Sequence, residues 1–450
     1  MLAAEERLGD DALMTSTNAR LGNCRVNGRQ LAHCVFQRLL YAADSISHRL
    51  RALNPSRKHV IGLVVFEFFR EDLNGFGGYG KLVQNVSDYC NKGSRRFCAD
   101  VLLAMSQRHR DFIERCHNAD VIFEYSKRGS LTAKIVRRLQ YSVALMRRRI
   151  DLLIAIEHST RYERHLSALP ATPVLIWLQD PRTEQDWGKI ATVKLTDVEM
   201  AHSIGSQWVV ESRRSLHNLL DGAQRLKRRI AFAHQAECLV PKARQLFGQP
   251  SLQSRFLPNP IDVPPLTQEK TTRPSVTFLG RLDPVKRPWI FLELARRFPS
   301  VEFFVMGRTH TAESMDPILH RYQDLPNLRF LGLVDGAAKL MLLQRSWALV
   351  NTSIHEALPV SFLEAFASET PVISCHNPDG LTERFGRFTG EVLGDGLDDF
   401  SLDKFAEALE QILASDKDRR RLGAEAREYV CATHTYAHFE KRLDEIFQRL

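Results

Sequence analysis

SVTFLGRLDPVKRP, residues 275–288, runs from an apolar stretch through a glycine and a charged loop into a proline-led helix start. A short apolar strand followed at once by a helix belongs to a parallel sheet covered by helices, so the fold class is α/β. Downstream the alternation continues. The pattern predicts a helix over Pro288–Arg297 and strands over VEFFVMG (301–307), Leu328–Leu331, WALVN (347–351) and PVIS (371–374).

Immediately upstream lies PNPIDVPPLTQEKTTRP (258–274), in which five prolines and the lack of apolar periodicity predict an exposed linker. Before it, from about residue 58, the alternation is found again. Strands are predicted over His59–Phe66, Val121–Tyr125, Leu152–Glu157, Val174–Leu178 and Trp208–Val210, with a helix over Leu131–Arg149. The expectation is two doubly wound, Rossmann-like domains, 56–257 and 275–435, facing across a cleft. A C-terminal helix over 436–450 places Phe439, Leu443, Ile446, Phe447 and Leu450 on one stripe that should pack against the body. Residues 1–55 contain a helix-compatible stretch, Leu31–Leu53, and no motif tied to chemistry.

Composition narrows the class. The 450 residues are 44% hydrophobic and 26% charged, enough for two or three packed cores. Eight cysteines form no C-x-x-C pair, which reads as a reduced, cytoplasmic protein. The first twenty residues carry Glu5, Glu6, Asp10 and Asp11 and lack the basic start and apolar core of a secretory signal. The stretch VIGLVVFEFF (60–69) is too short to span a bilayer. A net charge of +9 gathers in runs such as Arg147-Arg148-Arg149 and Lys227-Arg228-Arg229. No aromatic-interleaved basic motif points to nucleic acid, so the partners expected are an anionic small substrate and, peripherally, a membrane surface.

The chemistry should sit just after the strands. Gly280 and Arg281 end the opening strand, Lys286 follows, and Arg287-Pro288 begins a helix, so two cations and a helix N-terminus can face one pyrophosphate. HEALPVSFLEAF (355–366) likewise follows a strand and starts a helix. Its Glu356 and Glu364 lie eight residues apart, about 12 Å if helical, too far for an acid/base dyad but suited to different hydroxyls of one long ligand. The free N–H groups near Leu358–Phe362 can receive phosphate charge.

GFGGYGK (75–81) matches both G-x-G-x-x-G and the first seven positions of G-x-x-x-x-G-K. A Walker loop needs Ser or Thr where Leu82 stands, and a dinucleotide fingerprint needs an acid at the end of the next strand, whereas Asp100 opens VLLAM. What remains is a glycine loop, Gly77 and Gly78, able to approach a ligand closely. IEHST (156–160) and WLQDPRT (177–183) follow apolar runs and turn His158 and Asp180 toward the cleft. Asp416-Lys417-Asp418 reads as helix-start chemistry, so no metal site or cofactor is expected.

GRLDPVKRP (280–288) with the Glu356/Glu364 pair resembles the donor-site signature of glycosyltransferase family 4; the likeness covers roughly 240–435, including PNPID (258–262). The resemblance implies the GT-B fold, an acceptor-side first domain, a nucleotide-sugar-binding second domain, and retaining transfer from a nucleoside diphosphate sugar to a glycan or glycolipid acceptor. It assigns Arg281 and Lys286 to the diphosphate, Glu364 to the ribose, and Glu356 with the backbone of Ala357, Leu358, Pro359 and Val360 to the sugar. Gly77 and Gly78 resemble the loop that reaches the phosphates across the cleft. Asp180 and His158 are the acceptor-side catalytic candidates, beside Glu356 on the donor side. A sugar-nucleotide epimerase or hydrolase of the same fold, or a non-catalytic sugar-nucleotide-binding protein, would share these motifs.

Overall fold

The computed structural model describes residues 28–52, 57–68, 77–106, 113–125, 130–195, 201–309 and 312–450. Two sheets organise them. The first contains β1 (His59–Val65), β2 (Phe97–Ser106), β3 (Ile113–Cys116), β4 (Ala119–Glu124), β5 (Ile150–Ile156), β6 (Val174–Leu178), β7 (Ile230–His234) and β8 (Ser254–Phe256). Their order is β3-β4-β2-β1-β5-β6-β7-β8, parallel except for the β3–β4 pair. The second contains β9 (Ser275–Leu279), β10 (Glu302–Met306), β11 (Leu328–Gly332), β12 (Ala348–Asn351), β13 (Val372–Ser374) and β14 (Gly386–Phe388). Its order is β11-β10-β9-β12-β13-β14, and every pairing is parallel.

Burial explains the runs. All seven residues of β5 and all five of β6 are buried, as strands covered by helices on both faces require. Each sheet reverses its winding beside its first strand, between β1 and β5 and between β9 and β12. Those are the points at which the carboxyl ends of parallel strands leave a crevice.

Two expectations are corrected. Trp208–Val210 is not a strand but part of the helix Ala201–Leu226. Gly205, Val209, Ser212, Leu216 and Ala223 are buried positions of this helix, a helical spacing that overrides the local β-propensity. The stretch 258–274 is not exposed throughout, because Asn259 and Ile261 are buried. Asn259 Nδ2 donates to Gln179 and Gln235, fastening the crossing segment to the first sheet. The C-terminal helix, Tyr436–Phe447, returns to the first half: Phe439, Leu443 and Ile446 join the core of Ile61, Leu63 and Phe97, and Phe439 stacks on Trp177 with ring centroids 5.5 Å apart. The chain thus passes between the halves twice, and the two passages are bonded to each other, Ile261 N to His434 O at 2.7 Å.

The basic runs are less free than their sequence suggests. Arg148 is ion-paired with Asp100 and Asp120 at 2.6 Å, which makes Asp100 a structural partner. Arg228 donates to the carbonyls of Thr172 and Leu166. Among the described residues, no helix is long and apolar enough to cross a membrane.

Candidate functional site

The second sheet supplies one wall of a cleft of about 470 Å³. After β9, Gly280 and Leu282 keep pairing toward the β10 side, through Gly280 N to Met306 O and Leu282 N to Arg308 O. The approach is so close that a Cβ on Gly307 would stand 1.9 Å from the Gly280 carbonyl. Asp283 then shapes the loop. It accepts from Lys286 N at 3.0 Å and pairs with Arg281 Nε at 3.1 Å. Arg287 does not face the cleft with its neighbours. Fully buried, in the left-handed region at φ 44°, it donates to the carbonyls of Thr352, Ser353, Val392 and Gly394 and so rivets this loop to the one after β12.

That second loop carries His355 and Glu356. Three donors converge on Glu356 Oε1: Lys286 Nζ at 2.5 Å, Ser353 Oγ at 2.6 Å and Asn351 Nδ2 at 2.9 Å. Burial alone would raise the Glu356 carboxyl, but Lys286 and these bonds outweigh it and hold it down at about 2. The helix Val360–Ala367 starts at Pro359 with no side chain capping its first turn, so that turn presents N–H groups to the cleft. Glu364 lies within it and binds Lys339 Nζ at 2.7 Å through Oε1. Lys339 also meets Asp335 at 3.0 Å, and Asp335 meets Lys81 of the first half at 2.6 Å.

The first sheet supplies the other wall. Glu67, just after β1, accepts from Gly80 N at 2.9 Å, at the start of the helix Gly78–Lys92. A Cβ on Gly77 would strike this carboxylate at 2.2 Å, whereas one on Gly78 would meet nothing within 4 Å. Gly78 is therefore the open face of the glycine loop. Burial pushes the Glu67 carboxyl above its ordinary value, against the backbone bonds and the charge of Arg281.

Glu157 follows β5 in the left-handed region, φ 61°, which a residue with a Cβ adopts only when its surroundings impose it. Its carboxylate imposes it here, accepting from the backbone of His158, Gln179 and Asp180 and tying β5 to the loop after β6. Burial pushes Glu157 up to about 7. His158 is buried, with Nε2 3.2 Å from Ser215 Oγ and Nδ1 without a partner among the described residues. Burial lowers it to about 4, so the ring is neutral at pH 7.

Asp180 is engaged on both oxygens, by His355 Nε2 at 2.7 Å through Oδ1 and by Arg182 Nε at 2.9 Å through Oδ2. Burial works to raise its carboxyl, yet Arg182 and His355 hold it well below the usual range. His355 Nδ1 faces Asp186 at 3.4 Å, so the imidazole lies between two carboxylates of the opposite half. Burial opposes its charge, but Asp180 and Asp186 prevail and raise its pKa. Asp180 thus has the bonds of a clamp between the halves and not those of a free proton acceptor.

Every residue singled out from the sequence lines this one cleft: Gly77, Gly78, His158, Asp180, Arg281, Lys286, Glu356 through Val360, and Glu364. Sequence reasoning missed Glu67, Glu157, Lys339 and the pairing role of His355. Glu67 stands directly after one predicted apolar strand and Glu157 is the last residue of another, a signal that was present. Lys339 lies in the helix Gly336–Arg345, which no motif marks. Trp187 and Trp208 also line the cleft, meeting edge to face at 5.7 Å.

Residues 264–429 match the family of glycosyl transferases group 1. No curated protein sequence matches the chain. Among solved structures, sucrose-phosphate synthase from Thermosynechococcus elongatus is 15% identical, with a TM-score of 0.62, and the alignment covers 87% of this chain and 99% of that one. HepE of Anabaena, in complex with UDP and glucose, is 15% identical with a TM-score of 0.60, covering 88% of this chain and all of the other. The lipopolysaccharide outer core galactosyltransferase WaaB is 14% identical with a TM-score of 0.54, covering 87% and 100%. At these identities the likeness is one of fold, the two-domain GT-B architecture of glycosyltransferases.

Proposed function

We propose that this protein is a retaining glycosyltransferase that moves a sugar from a nucleoside diphosphate sugar to a hydroxyl of a glycan or glycolipid in the cytoplasm, without a metal ion. The observation that carries the reading is the convergence of Arg281, Lys286, Glu356 and Glu364 on one cleft, within the segment that matches the group 1 family. The architecture it shares with HepE, solved with UDP and glucose, supports a nucleotide-sugar donor.

In this reading Arg281, Lys286 and the uncapped first turn of Val360–Ala367 stabilise the charge that develops on the departing diphosphate. Glu356, anchored through Oε1, keeps Oε2 for a sugar hydroxyl, and Glu364 does the same for the ribose. The bond from the anomeric carbon to the diphosphate breaks and one to the acceptor oxygen forms. Asp180 and Glu356, both held ionised, and His158, lowered to about 4, are weak bases. We assign the hydroxyl proton to the departing diphosphate. Trp187, stacked under Arg182, and Trp208 form an apolar part of the cleft wall against which an acceptor sugar can pack.

Thermal-shift measurements with UDP-, GDP-, ADP- and TDP-glucose, followed by assay of free nucleoside diphosphate with and without added glycans, test this. At least one donor should raise the melting temperature of the wild type, and Glu356→Ala should abolish nucleotide release. Stabilisation by none of them would overturn the donor site. Release of free sugar, or an epimerised donor, in place of a glycoside would favour the hydrolase or epimerase.

A further inference from the structure

The helices Gly28–Ala52 and Leu131–Arg148 are neighbours on the first half, where the Arg138 guanidinium sits 5.3 Å from the centre of the Phe36 ring. Each is fixed by its inward face. On the first helix Leu40 and Asp44 are buried, and Asp44 accepts from the backbone of Ala171 and Thr172 at 2.8 and 2.9 Å. On the second, Tyr141 and Leu145 are fully buried against the sheet.

Each helix also turns an apolar line outward. Leu39 and Ile46 are 66% and 58% exposed and stand two turns apart, with exposed Ala42 and Ala43 between them. On the second helix Ile135, Leu139 and Val143 repeat every four residues, 44%, 39% and 43% exposed, beside Val136. Soluble surfaces scatter single apolar residues, but adjoining helices with ordered apolar stripes mark a docking face.

Charge selects the occupant. The two helices carry nine lysines and arginines and a single acid, Asp44, which is buried. Arg38, Arg49, Lys134 and Arg147 are exposed along the same helices. A face that combines apolar stripes with exposed cations and no exposed acid complements a layer that is apolar beneath and anionic on top. We propose that these two helices dock the protein on an anionic lipid bilayer, with Leu39, Ile46, Leu139 and Val143 entering the acyl boundary and Arg38, Arg49, Lys134 and Arg147 meeting the headgroup phosphates. The proposal concerns a surface apart from the cleft and holds whether or not the cleft transfers a sugar.

The test is flotation of the full chain with vesicles of phosphatidylcholine alone and of phosphatidylcholine mixed with phosphatidylglycerol. Wild type should float with the mixed vesicles, lose binding as salt rises, and stay with the unbound fraction on phosphatidylcholine. Two double variants, Leu39→Asp with Ile46→Asp and Leu139→Glu with Val143→Glu, change exposed positions only, and an unaltered urea midpoint verifies their fold. Each should weaken vesicle binding at least roughly ten-fold. Donor-induced thermal shifts should stay as in the wild type. Failure of the wild type to float with mixed vesicles, equal flotation on both compositions, or undiminished binding by both folded variants overturns the proposal. So does a sedimentation velocity result in which these substitutions dissolve a dimer while lipid binding is absent, which would make a second copy the occupant.

Discussion

His355→Ala removes a cation that lies between two carboxylates of the opposite half. The side chain of His355 is 3% exposed, those of Asp180 and Asp186 17% and 8%, so solvent screens the charges little. Taking away one member of a buried pair typically costs about 3–5 kcal/mol, because the survivor is left charged and unpaired. Here neither survivor is wholly abandoned. Asp180 keeps Arg182 at 2.9 Å, while Asp186 keeps Lys242 at 2.8 Å and the Thr183 backbone at 2.9 Å. The expected loss is therefore about 2–3 kcal/mol of unfolding free energy, below the full penalty.

The pH dependence has a definite sign. His355 has a raised pKa in the folded protein, so its contribution is fully present below 6.5, its ordinary value, and is lost as pH climbs through the raised one. The difference between wild type and variant should be largest below 6.5 and shrink as pH rises through the raised value. Urea unfolding followed by tryptophan fluorescence measures it, with His355→Gln as the control that keeps hydrogen bonding and drops the charge. A variant within about 0.5 kcal/mol of wild type at the lower pH, or a gap that widens as pH rises, would refute the clamp.

Lys286→Ala should lower kcat/KM for the donor by about 10²- to 10³-fold in a nucleotide-release assay, as loss of one preorganised charge donor does. Arg281, 40% exposed on its side chain, should matter less, about ten-fold on replacement by Ala. Gly307→Ala places a methyl 1.9 Å from the Gly280 carbonyl and should cost about 1–3 kcal/mol in urea unfolding, since backbone and not a flexible side chain must move. Glu67→Gln removes a charge from beside the open glycine loop, so donor affinity by calorimetry should rise. In the wild type that affinity should fall as pH increases through the raised Glu67 value, and the variant should flatten the dependence.

The second half was legible because its chemistry is local. The strand Ser275–Leu279, the loop with Arg281 and Lys286, and the helix from Pro288 follow one another in the chain, and the prediction for that helix matches its ends, Pro288–Arg297. The first half was harder to read, for reasons that differ by element. The strand Ile230–His234 is only five residues long and only its last two are buried, so its apolar signal is short. Trp208–Val210 carries three β-favouring residues in a row, yet they pack by helical periodicity within Ala201–Leu226. Asp180 has one partner, Arg182, two residues away in the same motif, but gave no local hint of the other, His355, which stands 175 residues away. Arg287 was invisible as a rivet because the carbonyls it binds come from Thr352 and from Val392 to Gly394.

The two glutamates that dominate the sequence motif are built alike, and that likeness constrains what the cleft can do. Glu356 receives Lys286, Ser353 and Asn351 on Oε1, and Glu364 receives Lys339 on Oε1. In both, a lysine holds the carboxylate in place through Oε1, and at Glu356 the lysine also helps to keep it ionised. Glu356 is thereby a poor proton acceptor but a strong acceptor of hydroxyl hydrogen bonds, since ionised acceptors bind neutral donors about twice as firmly as neutral ones do. The lysines themselves are tied further, Lys339 through Asp335 to Lys81 across the cleft. Replacing Glu364 therefore disturbs Lys339, which steadies the Asp335–Lys81 pair between the halves, as well as one hydroxyl contact, whereas replacing Glu356 disturbs the cation at the diphosphate end.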